Sequence, residues 1–348
     1  MSLIIKKNTT FKIPRTPFLP SSLGGLSLWL KADAGTTTEA EQFISQIVVT
    51  GADTATSNGT YTRVTGGFDQ FTGPNGNYIY WDEAWYLYDD TDESVTYTMA
   101  SYDFSGVWVE QNGSLPVPTS STSTTPTGTL FVTAWADQSG NGRNATPNDP
   151  TDKPLFNASD KNGKPTISLT SMSDDIERVF TISSNPLGAS GSTAFSVQYV
   201  EDVCDVGNDN GPIFGNFGGS EDSASLSQTH YPYGPDCFVY DAFGTRLRKN
   251  EITPPVTITN AWTLYSVKST DDDWQSFVNG QLMYSDPTNT YSSAIGGDVT
   301  TLYIGKQTAN GTYSLKGKVA EVIVYNRVLT TEEHQQVEAY LNSKYQIY

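Results

Sequence analysis

The chain has few of the residues on which catalysis usually depends. Its 348 residues include two histidines and two cysteines. A Ser-His-Asp site needs a histidine beside a nucleophile, whereas His230 and His334 stand near no nucleophile motif. Cys204 and Cys237 allow either one disulfide or two buried thiols, and they form no zinc-ligand spacing with the histidines. The sequence therefore predicts a protein that is not an enzyme and requires no cofactor.

The paired carboxylates of a glucanase are also missing. Glucanases need two carboxylates close together, one as nucleophile and one as acid, and no Glu-x-Asp-x-x-Glu string occurs. Glu321 stands alone in a predicted strand. We interpret it as a structural residue.

Positive charge is scarce as well. Lys and Arg number 20 against 38 Asp and Glu, which gives a formal charge of −18. This balance argues against binding to nucleic acid, whose affinity comes from basic residues, and against an anionic membrane. No apolar run reaches the roughly 18 residues of a membrane span. Neutral glycans, cations or a basic partner remain compatible, and the charge also suits a protein that stays soluble at high copy number.

The first 20 residues form a basic arm with no acidic residue. Its three prolines favour an extended path. It lacks the order of a signal peptide, so we expect synthesis in the cytoplasm without classical export. The arm either docks onto a partner or packs onto the acidic body. Its basic residues are Lys6, Lys7, Lys12 and Arg15.

What the sequence does contain is typical of an all-β protein. It has 20 Tyr, 15 Phe, 7 Trp and 30 Gly, a composition of pleated strands joined by tight turns. Leu26, Leu28 and Leu30 alternate as in a strand. Asn279-Gly280 between two apolar runs predicts a type I′ hairpin, and Thr331-Glu332-Glu333 opens the one convincing helix.

Residues 43–127 differ from the rest of the chain. They hold ten acidic residues and one Arg, for a formal charge of −9. Tyr78–Trp81 and Trp85–Tyr88 read as two of several short strands. Residues 116–128 are rich in Ser, Thr and Pro and predict a linker. We therefore predict a small inserted β-rich domain with its linker, inside a body formed by residues 21–42 and 128–348.

Six strings follow one another in that body: Leu28–Asp33, Trp135–Thr146, Asn162–Pro165, Phe277–Gly280, Tyr303–Gly305 and Gly317–Arg327. With these strings the body resembles the laminin-G-like/concanavalin-A-like lectin-glucanase jelly-roll family. The resemblance depends on six strings in the family's order and covers residues 21–42 and 128–348. It implies an antiparallel β-sandwich jelly roll with one short C-terminal helix. It implies little about function, because the family includes lectins, adhesion modules, enzymes and viral proteins.

The insert resembles small Trp- and Tyr-rich β modules in structural proteins of tailed bacteriophages, especially those of cyanobacteria. This resemblance implies a structural or accessory protein of the virion, such as a capsid decoration, fibre or tail appendage. Such a protein would be made in the host cytoplasm and exposed on the particle. The arm would hold other virion proteins, and the chain would be compatible with a homo-oligomer. A bacterial carbohydrate-binding lectin and a polysaccharide-degrading enzyme are the alternatives.

Two segments have the composition of a glycan site, in which an aromatic ring stacks on a sugar beside polar groups. One is the loop with Tyr231, Tyr233 and Asp236. The other carries Trp81 and Trp85. An insert of this size needs large side chains to fold, so these tryptophans are alternatively its core.

Calcium is the one ion that the sequence suggests. Residues 201–211 collect oxygen-bearing side chains, among them Asp202, Asp205 and Asp209. Ca²⁺ takes six to eight oxygen ligands. The spacing is not that of an EF-hand, and a plain acidic turn explains the same residues.

Overall fold

A computed structural model gives the structure of much of the chain. Only the backbone is described within the strands Phe214–Asn216, Gln228–Tyr233 and Phe238–Ala242, at residues 249–251, and at Ala55, Asp89 and Leu302. The described residues are 18–52, 55–64, 69–89, 94–101, 104, 106–112, 116–169, 177–201, 214–216, 228–233, 238–243, 249–291, 302–306 and 314–348.

The structure is almost entirely β, with one α-helix among the described residues. The first nine strands are β1 Leu26–Lys31, β2 Thr36–Thr50, β3 Gly59–Arg63, β4 Gln70–Thr72, β5 Tyr78–Trp81, β6 Trp85–Asp89, β7 Ser94–Met99, β8 Val109–Glu110 and β9 Thr119–Trp135. The next seven are β10 Ala145–Pro147, β11 Leu155–Asn157, β12 Thr166–Leu169, β13 Phe180–Ile182, β14 Gly191–Val200, β15 Phe214–Asn216 and β16 Gln228–Tyr233. The last elements are β17 Phe238–Ala242, β18 Lys249–Ile252, β19 Ala261–Thr270, β20 Asp273–Val278, β21 Gln281–Asp286, β22 Leu302–Ile304, β23 Gly317–Tyr325 and α1 Thr331–Tyr345.

The chain divides into two compact units. Met1–Glu39 and Leu130–Tyr348 form one, here the jelly-roll unit, and Ala40–Thr129 form the other, here the inserted unit. Strands β2 and β9 contribute residues to both.

The jelly-roll unit is built on antiparallel strands around a central β14. This strand pairs with β19 over its whole length on one side and with β23 on the other. Strand β1 continues the layer beyond β23, and β20 and β21 continue it beyond β19. Side chains alternate across the layer: Ala194 and Val200 lie in the main core, whereas Phe195 and Val197 pack under α1. The predicted all-β antiparallel jelly roll with one C-terminal helix is confirmed.

The two local signals of the sequence are confirmed. Asn279 and Gly280 both have positive φ, 51° and 73°, between β20 and β21, as a type I′ turn requires. Helix α1 begins with a capping box, in which the Thr330 hydroxyl accepts from the Glu333 amide and the Glu333 carboxylate accepts from the Thr330 amide. No described helix is long and apolar enough to cross a membrane.

Residues 135–146, one of the six strings of the family resemblance, form a loop that is hydrogen-bonded to β1. Asp137 Oδ1 accepts from the Trp29 amide at 2.9 Å, and Oδ2 accepts from the Ser139 hydroxyl at 2.7 Å and the Arg143 amide at 3.1 Å. Asn141 Nδ2 donates to the Leu26 carbonyl at 3.0 Å. These bonds hold the loop against β1, so its polar residues are used within the fold.

The Ser/Thr/Pro segment is a strand where the sequence predicted a linker. Residues 119–128 belong to β9, and most of their side chains are exposed. Within the inserted unit the Ser45 hydroxyl donates to the Ser123 carbonyl at 3.0 Å. Thr and Ser suit an exposed strand, and composition alone does not distinguish such a strand from a linker.

The inserted unit has its own apolar core. Strands β2 to β7 pair in sequence as an antiparallel meander. Every second residue on these strands is buried on one face. That face is formed by Ile47, Val49, Tyr61, Phe71, Ile79, Trp85, Leu87, Tyr97 and Met99.

Candidate functional site: an uncharged tyrosine face

Four tyrosines lie on the opposite face of the meander. Tyr78 and Tyr80 come from β5, and Tyr86 and Tyr88 come from β6. All four are half-buried, whereas Ile79 between the first two is fully buried. The alternation of strand residues thus places the aliphatic chains in the core and the phenol rings outside.

The rings form two cross-strand stacks. Tyr78 lies opposite Tyr88 and Tyr80 opposite Tyr86. The ring centroids are 4.5 Å apart in the first pair and 5.1 Å in the second, with interplanar angles of 25° and 16°. Tyr78 and Tyr80 are 5.7 Å apart. The two stacks therefore lie side by side on the outward face of the hairpin.

The tyrosines are part of two rows of paired residues that cross the meander. We call these eleven residues the tyrosine face, and none of them carries a charge. The first row is Gln70, Tyr80, Tyr86, Thr98 and Val109. The second row is Gln46, Thr62, Thr72, Tyr78, Tyr88 and Val95.

Acidic residues stand beside the first row. Asp82 and Glu83 are exposed in the turn between β5 and β6, where the Asp82 amide donates to the Ala84 carbonyl at 2.9 Å. Glu83 has a φ of 58°. Partial burial raises the pKa of Tyr80, and the nearby phenols of Tyr78 and Tyr86 and the carboxylate of Asp82 add to the effect. The two exposed carboxylates of this turn put negative charge at the border of the face.

Such a face suits a polar, uncharged ligand. A phenol offers a large apolar ring together with a hydroxyl that both donates and accepts. Tyr also loses little conformational entropy on binding, which is why it is frequent in binding surfaces. Stacked cross-strand pairs stabilise a sheet by about 0.2–1 kcal/mol each, so the same rings also support the hairpin.

The two tryptophans that the sequence predicts as glycan contacts, Trp81 and Trp85, do not belong to the tyrosine face. Trp85 is 1% exposed and packs edge-to-face on Phe71 at 5.7 Å. Trp81 is half-buried and packs edge-to-face on Trp85 at 5.3 Å. Trp85 therefore has the core position of the second interpretation, and its enclosed ring offers no face to a sugar. Sequence reasoning missed the tyrosines, although their alternation with Ile79 and Leu87 signals the exposed face.

The other predicted sites stay predictions. Asp236 and the calcium candidates Asp202, Asp205 and Asp209 lie outside the described residues, as do Cys204, Cys237 and the arm with Lys6, Lys7, Lys12 and Arg15. Tyr231 and Tyr233 lie in β16, of which only the backbone is described. Where side chains are described, no three His, Cys, Asp or Glu residues come together as metal ligands.

One cluster has the residue types of a catalytic triad but not its geometry. His334 Nε2 is 3.0 Å from the Ser266 hydroxyl, which donates to Glu338 Oε1 at 3.2 Å. The carboxylate is 3.7 Å from the other ring nitrogen of His334, beyond hydrogen-bond distance. Ser266 is fully buried, so no substrate reaches it. The cluster is a buried polar contact between α1 and β19.

This cluster predicts two opposing effects of pH on stability. Burial lowers the pKa of His334 from 6.5 to about 3, and Lys268 contributes. Burial raises the pKa of Glu338 from 4.5 to about 7. Stability from neutral Glu338 is present below pH 4.5 and lost as pH rises towards 7, whereas stability from neutral His334 is present above pH 6.5 and lost as pH falls. The two effects oppose each other between pH 4.5 and 6.5.

We therefore expect the free energy of unfolding of Glu338→Gln, relative to that of the wild type, to rise by about 2 kcal/mol when the pH is raised from 5 to 7. Over the same rise in pH, the free energy of unfolding of His334→Gln should fall by a similar amount relative to that of the wild type. Urea unfolding of the full chain at both pH values measures the difference for each variant. If the free energy of unfolding of both variants changed with pH as that of the wild type does, neither group would titrate as argued.

Comparisons with known proteins concern the fold. A laminin G-type family model described as the concanavalin A-like lectin/glucanases superfamily matches residues 209–333. No curated protein matches the chain. Domain 4 of AbnA, a GH43 extracellular arabinanase from Geobacillus stearothermophilus in complex with arabinotriose, is 14% identical, with 58% of this chain and 91% of that chain covered and a TM-score of 0.40.

Two further solved structures show a similar level of likeness. A GH54 α-L-arabinofuranosidase soaked with a cyclic sulfate inhibitor is 12% identical, with 92% of this chain and 63% of that chain covered and a TM-score of 0.46. The binding domain of Paraclostridial Mosquitocidal Protein 1 is 15% identical, with 60% and 49% covered and a TM-score of 0.40. The chain thus spans less than two thirds of both of these structures.

The fold assignment rests on the antiparallel layers together with the family match. Strands β19 to β21 and the pairing of β14 with β23 lie within or beside the matched segment. The protein has the concanavalin A-like jelly-roll fold, and its residues 209–333 are similar to the concanavalin A-like lectin/glucanases superfamily.

Proposed function

We propose that this protein is a non-catalytic adhesion protein that binds carbohydrate through the tyrosine face. The observation that carries the proposal is the pair of uncharged rows, with two stacked tyrosine pairs at their centre, on an otherwise acidic unit. Phenol rings provide apolar area for the C–H faces of a sugar, and the flanking Gln and Thr side chains provide hydrogen bonds for its hydroxyls. The lectin-like fold of the other unit is compatible with this activity.

Removing two rings of the first row tests the proposal. We expect Tyr80→Ala combined with Tyr86→Ala to weaken glycan binding by at least tenfold, because central aromatic anchors contribute about 2 kcal/mol or more each. A glycan array identifies a ligand, and titration calorimetry measures its affinity. Tyr348→Ala, which removes an exposed tyrosine of the jelly-roll unit, is the matched control. Equal affinity in the double variant and the control would reject the tyrosine face as the site.

The absence of catalysis is part of the proposal and has its own test. Two described acidic residues have structural partners: Glu321 is fully buried and bonded to four side chains, and Glu338 is bonded to buried Ser266. Prolonged incubation with polysaccharides should release no reducing ends and no unsaturated products. Release of either would favour the polysaccharide-degrading enzyme.

At a finer level, we propose that the protein works on the surface of a tailed phage particle. The likeness of the insert to phage modules and the basic residues of the N-terminal arm support this, with the arm holding other virion proteins. Mass spectrometry of purified particles should find the chain, and deletion of residues 1–20 should release it. A chain that binds glycans but is missing from particles would instead be a bacterial carbohydrate-binding lectin.

A further inference from the structure

The first row of the tyrosine face is a linear surface. It crosses the five strands β4 to β8, from Gln70 through the Tyr80–Tyr86 pair to Val109. With strands about 4.8 Å apart, the row is about 19 Å long. Val109 is 56% exposed at one end, and Thr98 beside it accepts from Gln111 Nε2 at 3.1 Å. A ligand that uses the whole row must be extended.

The spacing of the row also fits the repeat of a sugar chain. Each strand contributes one side chain to the row. The spacing between neighbouring strands is comparable to the length of one sugar residue in an extended glycan. The aromatic pair occupies the middle of the row, between the amide of Gln70 and the hydroxyl of Thr98. Aromatic area at the centre with polar groups on either side is the usual arrangement of a binding surface.

The charges around the row oppose an anionic ligand. Residues 40–129 contain eleven acidic residues and one Arg, for a formal charge of −10. Arg63 is paired with Asp69, and Asp82 and Glu83 stand exposed at the turn nearest the Tyr80–Tyr86 pair. A carboxylated or sulfated chain on this row would meet like charge, and the one basic residue of the inserted unit, Arg63, is already paired.

We infer that the first row takes an uncharged, extended glycan of about four sugar residues lying across strands β4 to β8, and that Asp82 and Glu83 exclude anionic glycans. This inference rests on the proposed function and names its ligand class. A protein partner is the competing occupant of the row. In that case, binding would not depend on the chain length of any glycan.

The length of the ligand gives the first test. Neutral linear oligosaccharides of two to six residues, drawn from the best ligand of the array, are titrated into the full chain. Affinity should rise with each residue up to about four and change less than twofold beyond that. Tyr80→Ala with Tyr86→Ala should remove the dependence on length. Equal affinity for the shortest and longest members would overturn the extended site.

Charge gives the second test. A neutral polysaccharide and its carboxylated derivative are compared on the wild type and on Asp82→Asn combined with Glu83→Gln. The wild type should prefer the neutral polymer by at least tenfold at low salt, and the variant should reduce that ratio at least threefold, as should added salt. Equal binding of both polymers by the wild type would overturn the exclusion. Failure to bind any glycan would instead reject the proposed function itself.

Discussion

Replacing Glu321 by alanine is expected to lower the free energy of unfolding of the jelly-roll unit by about 3 kcal/mol or more. Glu321 lies in β23 with no exposed surface. Its Oε1 accepts from Trp29 Nε1 at 2.6 Å, and its Oε2 accepts from Lys344 Nζ at 2.7 Å and from the Tyr345 hydroxyl at 2.9 Å. One carboxylate therefore ties β1, β23 and α1 together.

The size of the effect comes from the groups left behind. Without Glu321, the buried indole N–H of Trp29 loses its acceptor, which carries a penalty of about 1–3 kcal/mol. The hydroxyl of Tyr345 keeps only the longer bond to the Ala320 carbonyl at 3.4 Å. The Lys344 side chain is 11% exposed and keeps Asp33 at 2.9 Å, which limits the loss. Burial is the main reason that the pKa of Tyr345 lies far above its usual range, and the negative charges of Glu321 and Asp33 add to the effect. This phenol therefore remains a donor at any physiological pH.

Urea unfolding followed by tryptophan fluorescence measures the change. Glu321→Gln keeps the shape and one acceptor oxygen, so we expect an intermediate loss. Glu332→Ala, at an exposed position in the first turn of α1, is the control and should change stability by less than about 1 kcal/mol. If Glu321→Ala and Glu332→Ala behaved alike, the carboxylate would not hold the helix to the sheet.

Trp85→Ala should have a comparable effect on the inserted unit. The ring is 1% exposed and packs against Phe71 at 5.7 Å and Phe104 at 4.5 Å. Removing a buried tryptophan leaves a large cavity and costs about 3–5 kcal/mol. In a unit of only ninety residues, that loss is a large part of the total stability.

This variant also separates support of the site from contact with the ligand. Trp85 lies on the core face of β6, between Tyr86, which faces outward, and the turn that precedes the strand. We expect Trp85→Ala to abolish both glycan binding and the cooperative unfolding of the unit, whereas Tyr80→Ala with Tyr86→Ala weakens binding by at least tenfold and keeps the fold. Circular dichroism of both variants makes the distinction. Normal binding by Trp85→Ala would show that the core does not position the face.

Much of the fold could be predicted because its signals are local. Strand alternation, the Asn279-Gly280 turn and the opening of α1 at Thr331 each depend on neighbouring residues. The strand Tyr78–Trp81 was predicted with the bounds that the structure shows. The Ser/Thr/Pro segment was the exception, because its strand depends on a partner strand elsewhere in the chain.

The candidate site was harder to predict because it depends on which face of a strand is buried. The sequence predicts Trp81 and Trp85 either as glycan contacts or as the core of the insert, and the four tyrosines beside them are not among the predicted contacts. Only the packing of Trp85 on Phe71 and Phe104 decides that even-numbered residues of β5 and β6 face outward. Likewise, the Ser266–His334–Glu338 contact joins residues 68 and 72 positions apart, a proximity that no local pattern reveals.

The shared strands of the core and the tyrosine face restrict how this surface can evolve. Ile79 and Leu87 fill the interior from the same two strands that carry the four phenols outward. Inserting or deleting one residue within either strand would turn aliphatic side chains to water and phenols to the interior. New ligand preferences are therefore open to this lineage through point substitutions at outward positions, whereas length changes are restricted to the turns.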